Sequence, residues 1–203
     1  PLMMLRPAKI KKDFPILRRK INGKPLIYLD NAATTQKPNQ VIDAISNFYR
    51  MHNAPIHRSV YTIAEEATQL YEQTREKAAK FIGAKDPAEI IFTRNTTEAL
   101  NLLAHTLGRQ IVQKDDNVII TEMEHHSNLV PWQILTKEKG AQLRFIPFGE
   151  NAQLKLDALD TLIDSKTKIL SIVHVSNFLG TINPVEKIIA FAKKKNPNII
   201  TIV

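Results

Sequence analysis

From residue 89 onward, short apolar runs alternate with amphipathic helical patterns, and this alternation constrains the fold more than any other feature of the chain. Residues 89–93, 118–121, 142–147, 168–173 and 199–203 read as strands. Between them, residues 97–107, 129–139, 156–163 and 184–195 carry apolar positions at helical spacing. Strands that alternate with helices build βαβ units, whose crossovers cover both faces of a mostly parallel sheet. The fold class is therefore α/β, a mostly parallel sheet with helices on both faces. The chain stops at Thr201-Ile-Val203, in an apolar strand with no helix after it, so the expected domain is incomplete.

The N-terminal part is organised differently. Residues 16–21 and 26–29 flank Asn22-Gly23, a strong two-residue hairpin signal. Pro38 opens a helix through about Arg50, with Val41, Ile42, Ile45, Phe48 and Tyr49 on one stripe. A second helix spans residues 62–82 and ends at Gly83. Two regions are expected: a basic arm and hairpin start over residues 1–25, then residues 26–203 as part of one large domain.

The net charge of +8 suggests a polyanion partner until it is located. Residues 1–25 carry eight Lys/Arg against one acid, Asp13, which accounts for nearly all of it. Only Phe14 interleaves with those charges, so no stacking platform for nucleic acid is supported, and a solvated surface arm is expected. No apolar run approaches a membrane span, and residues 1–12 lack the apolar stretch of a secretory signal. The absence of cysteine excludes disulfides and thiolate metal sites and fits a reducing, cytoplasmic setting.

Several strand ends carry polar residues, as in the ligand crevices of open α/β sheets. Thr93-Arg-Asn-Thr-Thr-Glu-Ala99 joins a strand to a helix. Its hydroxyls suit either an ordinary cap or a phosphate site at the helix N-terminus. There is no G-x-G-x-x-G and no G-x-x-x-x-G-K-[ST], so dinucleotides and P-loop nucleotides lose their main support. In Thr121-Glu-Met-Glu-His-His-Ser-Asn-Leu-Val-Pro-Trp-Gln133, adjacent histidines in an extended segment point to opposite faces, which disfavours a shared metal. A ring-stacking imidazole and a hydrogen-bonded structural histidine both remain open. Asn177, in His174-Val-Ser-Asn-Phe-Leu-Gly-Thr-Ile-Asn-Pro184, is either a turn former or an amide donor to a ligand oxygen. Tyr28-Leu-Asp-Asn-Ala-Ala-Thr-Thr35 offers small residues that let backbone approach a ligand, and Asn53-Ala-Pro-Ile-His-Arg58 is a cationic polar loop or a solvated connector.

Taken in order, these segments, with Gln36-Lys-Pro38 and Glu65-Glu-Ala-Thr68, resemble the cysteine desulfurases of the SufS/CsdA group, which have the class V aminotransferase fold (fold-type I) and depend on pyridoxal phosphate. The resemblance runs from about Asp13 to the end. It implies that Thr96 and Thr97 hold the cofactor phosphate, and that His125 stacks on the pyridine ring and assists proton transfer. It further implies that Asn177 donates to the ring's phenolic oxygen and touches the substrate carboxylate. Ala32 and Ala33 would line the substrate side, with His57 and Arg58 near the active site or a dimer interface; no metal is implied.

The resemblance also implies conversion of L-cysteine to L-alanine, with sulfur passed as a persulfide to an acceptor protein for iron–sulfur cluster assembly, in a cytoplasmic homodimer. The departures are as informative. The ring-nitrogen aspartate, the Schiff-base lysine, the substrate arginine and the persulfide cysteine of that group have no counterpart in these 203 residues. Asn95 and Ser59 stand where many relatives have glycine. The expectation is an N-terminal half, inactive alone. Selenocysteine lyases and other pyridoxal-phosphate lyases or transaminases share the pattern, and a non-catalytic binding or split-partner chain is the rival from another class.

Overall fold

The computed structural model describes residues 6–203. Two compact units divide between Phe92 and Thr93. The first three turns of the basic arm are helix α1 (Pro7–Ile10) and 3₁₀ turns at Lys11–Asp13 and Pro15–Arg18; residues 1–5 of the expected arm lie outside the described residues.

In the first unit the Asn22-Gly23 hairpin forms, with β1 (Lys20–Ile21) antiparallel to β2 (Lys24–Pro25). Asn22 and Gly23 both take positive φ, 52° and 76°, as a two-residue hairpin turn with strand-matching twist requires. β1 keeps only the last two residues of the run 16–21, and β2 lies before the run 26–29, which forms no strand. The 3₁₀ turn Pro15–Arg18 takes up most of the first run, and past Pro25 one further cross-strand bond, from the Leu26 N–H to the Arg19 carbonyl at 3.0 Å, ends the pairing. Helices α2 (Asn39–Met51) and α3 (Thr62–Ile82) match the predicted pair, with Pro38 as the residue before the first turn and Gly83 closing α3 at φ 74°. Buried positions on α3 are the small Ala64, Ala67 and Ala79.

The strand predicted at residues 89–93 is absent. Asp86 Oδ1 accepts from the Ala88 N–H and Glu89 Oε1 from the Asp86 N–H, at 2.8 and 3.1 Å. This capping box winds Pro87–Glu89 into a 3₁₀ turn. The Ile90 carbonyl then accepts from the Arg75 guanidinium rather than from a neighbouring strand.

The second unit holds the expected α/β sheet. Helix α4 (Thr96–Leu103) continues through a π-helical turn at Ala104–Gly108 into α5 (Arg109–Ile111). Then follow β3 (Asn117–Thr121), α6 (Val130–Lys139), β4 (Gln142–Ile146), α7 (Leu159–Leu162), β5 (Thr167–Ser171), α8 (Val185–Lys195) and β6 (Ile200–Ile202). The four strands pair in the order β4-β3-β5-β6, all parallel.

Alternation along β3 divides the core into two layers. Val118 and Ile120 pack with Leu100, Ala104, Trp132 and Leu135 of α4, the π turn and α6. Ile119 faces the opposite layer with Leu159, Ile163, Ile188 and Ala192 of α7, α8 and their flanks. Helices therefore cover both faces. Each fully buried large apolar side chain contributes about 1.5–3 kcal/mol relative to exposure, so this sheet carries most of the hydrophobic stabilisation. Gly108 sits close against α6: a Cβ there would lie 2.7 Å from Leu135 Cδ2.

At the N-terminal end of the strands, Asp164 forms a clasp. It accepts from Arg144 Nη1 at 2.7 Å, Asn117 Nδ2 at 2.9 Å and the Lys166 N–H at 2.8 Å. Partial burial pushes its carboxyl upward, but these donors outweigh burial and hold it down at about 2. None of the helices among the described residues is long and apolar enough to cross a membrane.

Candidate active site

Parallel strands aim their C-terminal ends at one edge of a sheet, and loops leaving that edge are the natural place for a ligand. The β3 exit carries His125, and the β5 exit carries Asn177. Helix α4, which begins at Thr96, packs against the 3₁₀ turn His126–Asn128 that follows His125. These three segments belong to the second unit, and their candidate side chains are exposed.

At the start of α4 the capping work is done by Asn95, not by threonine. Asn95 Oδ1 accepts from the Glu98 N–H at 2.9 Å. The Glu98 carboxylate turns back to the Arg94 N–H, 2.6 Å, and pairs with the Arg94 guanidinium, 3.1 Å. Those contacts with Arg94, first the side chain and then the backbone, hold the Glu98 carboxyl below its ordinary range. The first-turn N–H groups of Thr96 and Thr97 have no partner within a helix, and their hydroxyls are not used by the cap. The result is two kinds of donor, hydroxyls and free amides, at the positive end of the helix dipole.

His125 is oriented from behind. Its Nδ1 accepts from the Ser127 N–H at 3.2 Å and lies 2.9 Å from Ser127 Oγ. His126 is the first residue of the 3₁₀ turn, and its ring meets that of His125 edge-on, with centroids 6.1 Å apart. Asn177 sits at the tip of a tight loop between the bridged residues Val175 and Ile182. Buried Ser176 organises that tip: its Oγ accepts from the Phe178 and Leu179 N–H groups, and its carbonyl from Gly180, whose φ is 72°. The loop base is closed by Asn183, which donates Nδ2 to the Val173 carbonyl at 2.8 Å.

Sequence reasoning passed over the polar cluster that joins these exits. Glu124 Oε1 accepts from Thr121 Oγ1 at 2.6 Å and from the Val173 N–H at 2.8 Å. Glu124 Oε2 accepts from Asn128 Nδ2 at 2.8 Å, while Asn128 Oδ1 accepts from Trp132 Nε1 at 2.8 Å and Ser171 Oγ at 2.6 Å. The available signal was a serine inside the apolar run 168–173 and an asparagine three residues after His125. Polar residues buried in such runs require partners.

The remaining candidates lie in the first unit. Ala32 and Ala33 are in an exposed turn pinned by Tyr28, whose hydroxyl donates to the Thr34 carbonyl at 2.7 Å and the Asp30 carbonyl at 3.0 Å. His57 has φ 64°, a left-handed conformation uncommon for a residue with a side chain. It is held there by an N–H bond to Thr68 Oγ1, 3.0 Å, and by Nε2 at 2.9 Å from Glu72 Oε1. Arg58 beside it is exposed.

Residues 27–203 match the family Aminotransferase class-V. A cysteine desulfurase of Salmonella dublin is 49% identical over 192 residues, covering 95% of this chain and 47% of that protein. The apo cysteine desulfurase of Thermococcus onnurineus NA1 superposes with a TM-score of 0.88 at 37% identity, covering 98% of this chain and 47% of its own. The cysteine desulfurase CsdA of Escherichia coli superposes with a TM-score of 0.81 at 32% identity, covering 97% and 48%. The chain thus spans about half the length of the curated relatives it matches. A parallel sheet with helices on both faces, matched from residue 27 to its last strand, places this chain in the aminotransferase class-V family.

Proposed function

We propose that this chain supplies the phosphate, ring-face and ring-oxygen contacts for pyridoxal 5'-phosphate in a cysteine desulfurase. The observation that carries this reading is the placement of His125 and Asn177 after the neighbouring parallel strands β3 and β5, with helix α4 packed against the turn that follows His125. The donor set fits the cofactor. A dianionic phosphate suits the free amides and hydroxyls of Thr96 and Thr97. A flat aromatic ring suits the exposed face of an imidazole whose plane is fixed through Nδ1. A phenolic oxygen suits a carboxamide N–H, which Asn177 presents at a loop tip.

When bound, the cofactor supplies a conjugated electron sink that stabilises negative charge at the substrate's Cα. This chain's part is to bind and orient it. Thr96 and Thr97 hold the phosphate, His125 supports one ring face and holds a proton at Nε2, and Asn177 donates to the ring oxygen and the substrate carboxylate. Ala32 and Ala33 line the substrate side, and His57 and Arg58 lie near the active site or a subunit interface. The substrate is L-cysteine, the product L-alanine, and the sulfur passes as a persulfide to an acceptor protein for iron–sulfur cluster assembly. None of these 203 residues is cysteine, so the thiolate that takes the sulfur comes from outside them, and no lysine among them follows a histidine as the Schiff-base lysine of that group does. We place this chemistry in a cytoplasmic homodimer, with residues 26–203 as part of its large cofactor-binding domain and residues 1–25 as a basic arm.

Calorimetry with pyridoxamine 5'-phosphate, which lacks the aldehyde that would react with surface lysines, tests the cofactor reading. Pyridoxamine without phosphate should bind at least about tenfold more weakly, and a Thr96→Val, Thr97→Val variant should remove most of that difference, as loss of hydrogen bonds to a charged group does. Equal binding of the two compounds, or none, would sink it. A chimera of residues 27–203 with the remaining part of the Salmonella dublin relative tests the reaction. Alanine release from L-cysteine is expected; a folded, cofactor-loaded chimera without it would reject the desulfurase assignment.

A further inference from the structure

The cluster behind His125 has only one consistent arrangement of donors and acceptors. The indole Nε1 of Trp132 can only donate, so the Asn128 side chain must turn its oxygen toward it. The other end of that amide, Nδ2, then points at Glu124 Oε2, which must accept. Ser171 Oγ is left to donate to Asn128 Oδ1. The second carboxylate oxygen accepts from Thr121 Oγ1 and the Val173 N–H. Trp132, Asn128 and Ser171 are all buried, so each of these bonds replaces a lost bond to water. One carboxylate thus joins the β3 exit, the turn after His125, helix α6 and the β5 exit.

The same geometry fixes His125. A backbone N–H can only donate, so the Ser127 amide against Nδ1 makes that nitrogen the acceptor and leaves the neutral ring's proton on Nε2. Ser127 is the middle residue of the turn His126–Asn128, and that turn is anchored by the Asn128 side chain.

We propose that Glu124 is a positioning residue: through Asn128 it holds the turn that sets the ring plane and the Nε2–H tautomer of His125, and through Val173 it locks that turn to the strand end leading to Asn177. The importance of this for a cofactor rests on the proposed function; the effect on His125 does not, and is measured without any ligand.

The test exchanges polarity along the Glu124–Asn128 bond. Glu124→Gln alone faces the Asn128 Nδ2 with a second amide donor, and Asn128→Asp alone faces Glu124 with a second carboxylate. In the double variant Glu124→Gln, Asn128→Asp, the Gln amide donates to the Asp carboxylate. That carboxylate still accepts from Trp132 and Ser171, and the total charge is unchanged. Imidazole ¹⁵N spectra of the 203-residue chain in alkaline buffer report the tautomer directly. The wild type should show His125 with an acceptor-type Nδ1 and a protonated Nε2. Each single variant should shift both nitrogens toward the averaged values of mixed tautomers, and the double variant should restore the wild-type pattern. A role in stability alone would lower the unfolding midpoint of the single variants and leave these shifts in place, and that result would overturn the proposal. A wild-type ring protonated at Nδ1 would overturn it too. If a single variant fails to fold, the double variant decides: a native His125 spectrum supports the proposal, and an unfolded chain or a shifted spectrum contradicts it. Binding of pyridoxamine 5'-phosphate by the same proteins is read separately. Restored tautomer without binding would count against the cofactor reading and leave the positioning role standing.

Discussion

In the second unit Val118, Ile119, Ile120, Ile169 and Leu170 expose no surface, whereas in the first unit Leu29, Val60 and Phe81 are 89, 93 and 90% exposed. Both units are rich in apolar residues, but they use them differently. The central strands β3 and β5 have partners on both faces within the unit: helices α4 and α6 on one side, α7 and α8 on the other. Helix α3 buries only alanines, and the stripe predicted on α2 keeps Val41, Ile42, Ile45 and Tyr49 exposed. Amphipathicity, then, marks the face that a helix is able to bury, and the packing partner determines whether it is buried. Stability in this chain is concentrated in the sheet unit, and so are the groups assigned to the cofactor.

The widest contrast is between two aromatic residues. Trp132→Ala should lower unfolding stability in urea by about 3–5 kcal/mol, because it leaves a large cavity and strips Asn128 of a donor. Phe81→Ala should change it by less than about 0.5 kcal/mol. Comparable losses from both would break the comparison. Within the sheet unit, Gly108→Ala should cost about 1–3 kcal/mol, since the new methyl meets the Leu135 side chain, which is buried and must move. A neutral result would show that the π turn relaxes freely.

Acid titration probes the clasp at the other sheet edge. The folded-state value of Asp164 is depressed to about 2 from 3.8, so its contribution is fully present above the unfolded value and is lost as pH falls from about 4 through about 2. The side chain is 41% exposed, so solvent screening reduces the contribution to of order 1 kcal/mol. Asp164→Asn should therefore flatten this part of the acid-unfolding curve while leaving the first unit's helices unaffected. An unchanged acid limb would show that the clasp does not contribute.

Much of the sheet could be read from the chain, because β3, β4, β5 and β6 are apolar runs between helices with clear end signals such as Gly140. Residues 89–93 misled because the capping box of Asp86 and Glu89 takes Glu89 into a 3₁₀ turn, while Ile90 is extended but gives its carbonyl to Arg75 rather than to a strand. The first hairpin strand was cut short because Pro15–Arg18 winds into a 3₁₀ turn within the apolar run. At the candidate site, His125 and Asn177 could be singled out because each follows a strand, and Thr96 and Thr97 because they open a helix. Glu124, Asn128 and Ser171 were hidden because their meaning lies in pairings across 43 and 49 residues that no local pattern encodes.

The central claim is that the cofactor contacts lie at the sheet edge of the second unit. Amide spectra of the chain titrated with pyridoxamine 5'-phosphate test it most directly. Saturable shifts are expected at Thr96, Thr97, His125 and Asn177 and at their immediate neighbours. Saturable shifts confined to the basic arm, or no shifts at all, would contradict it.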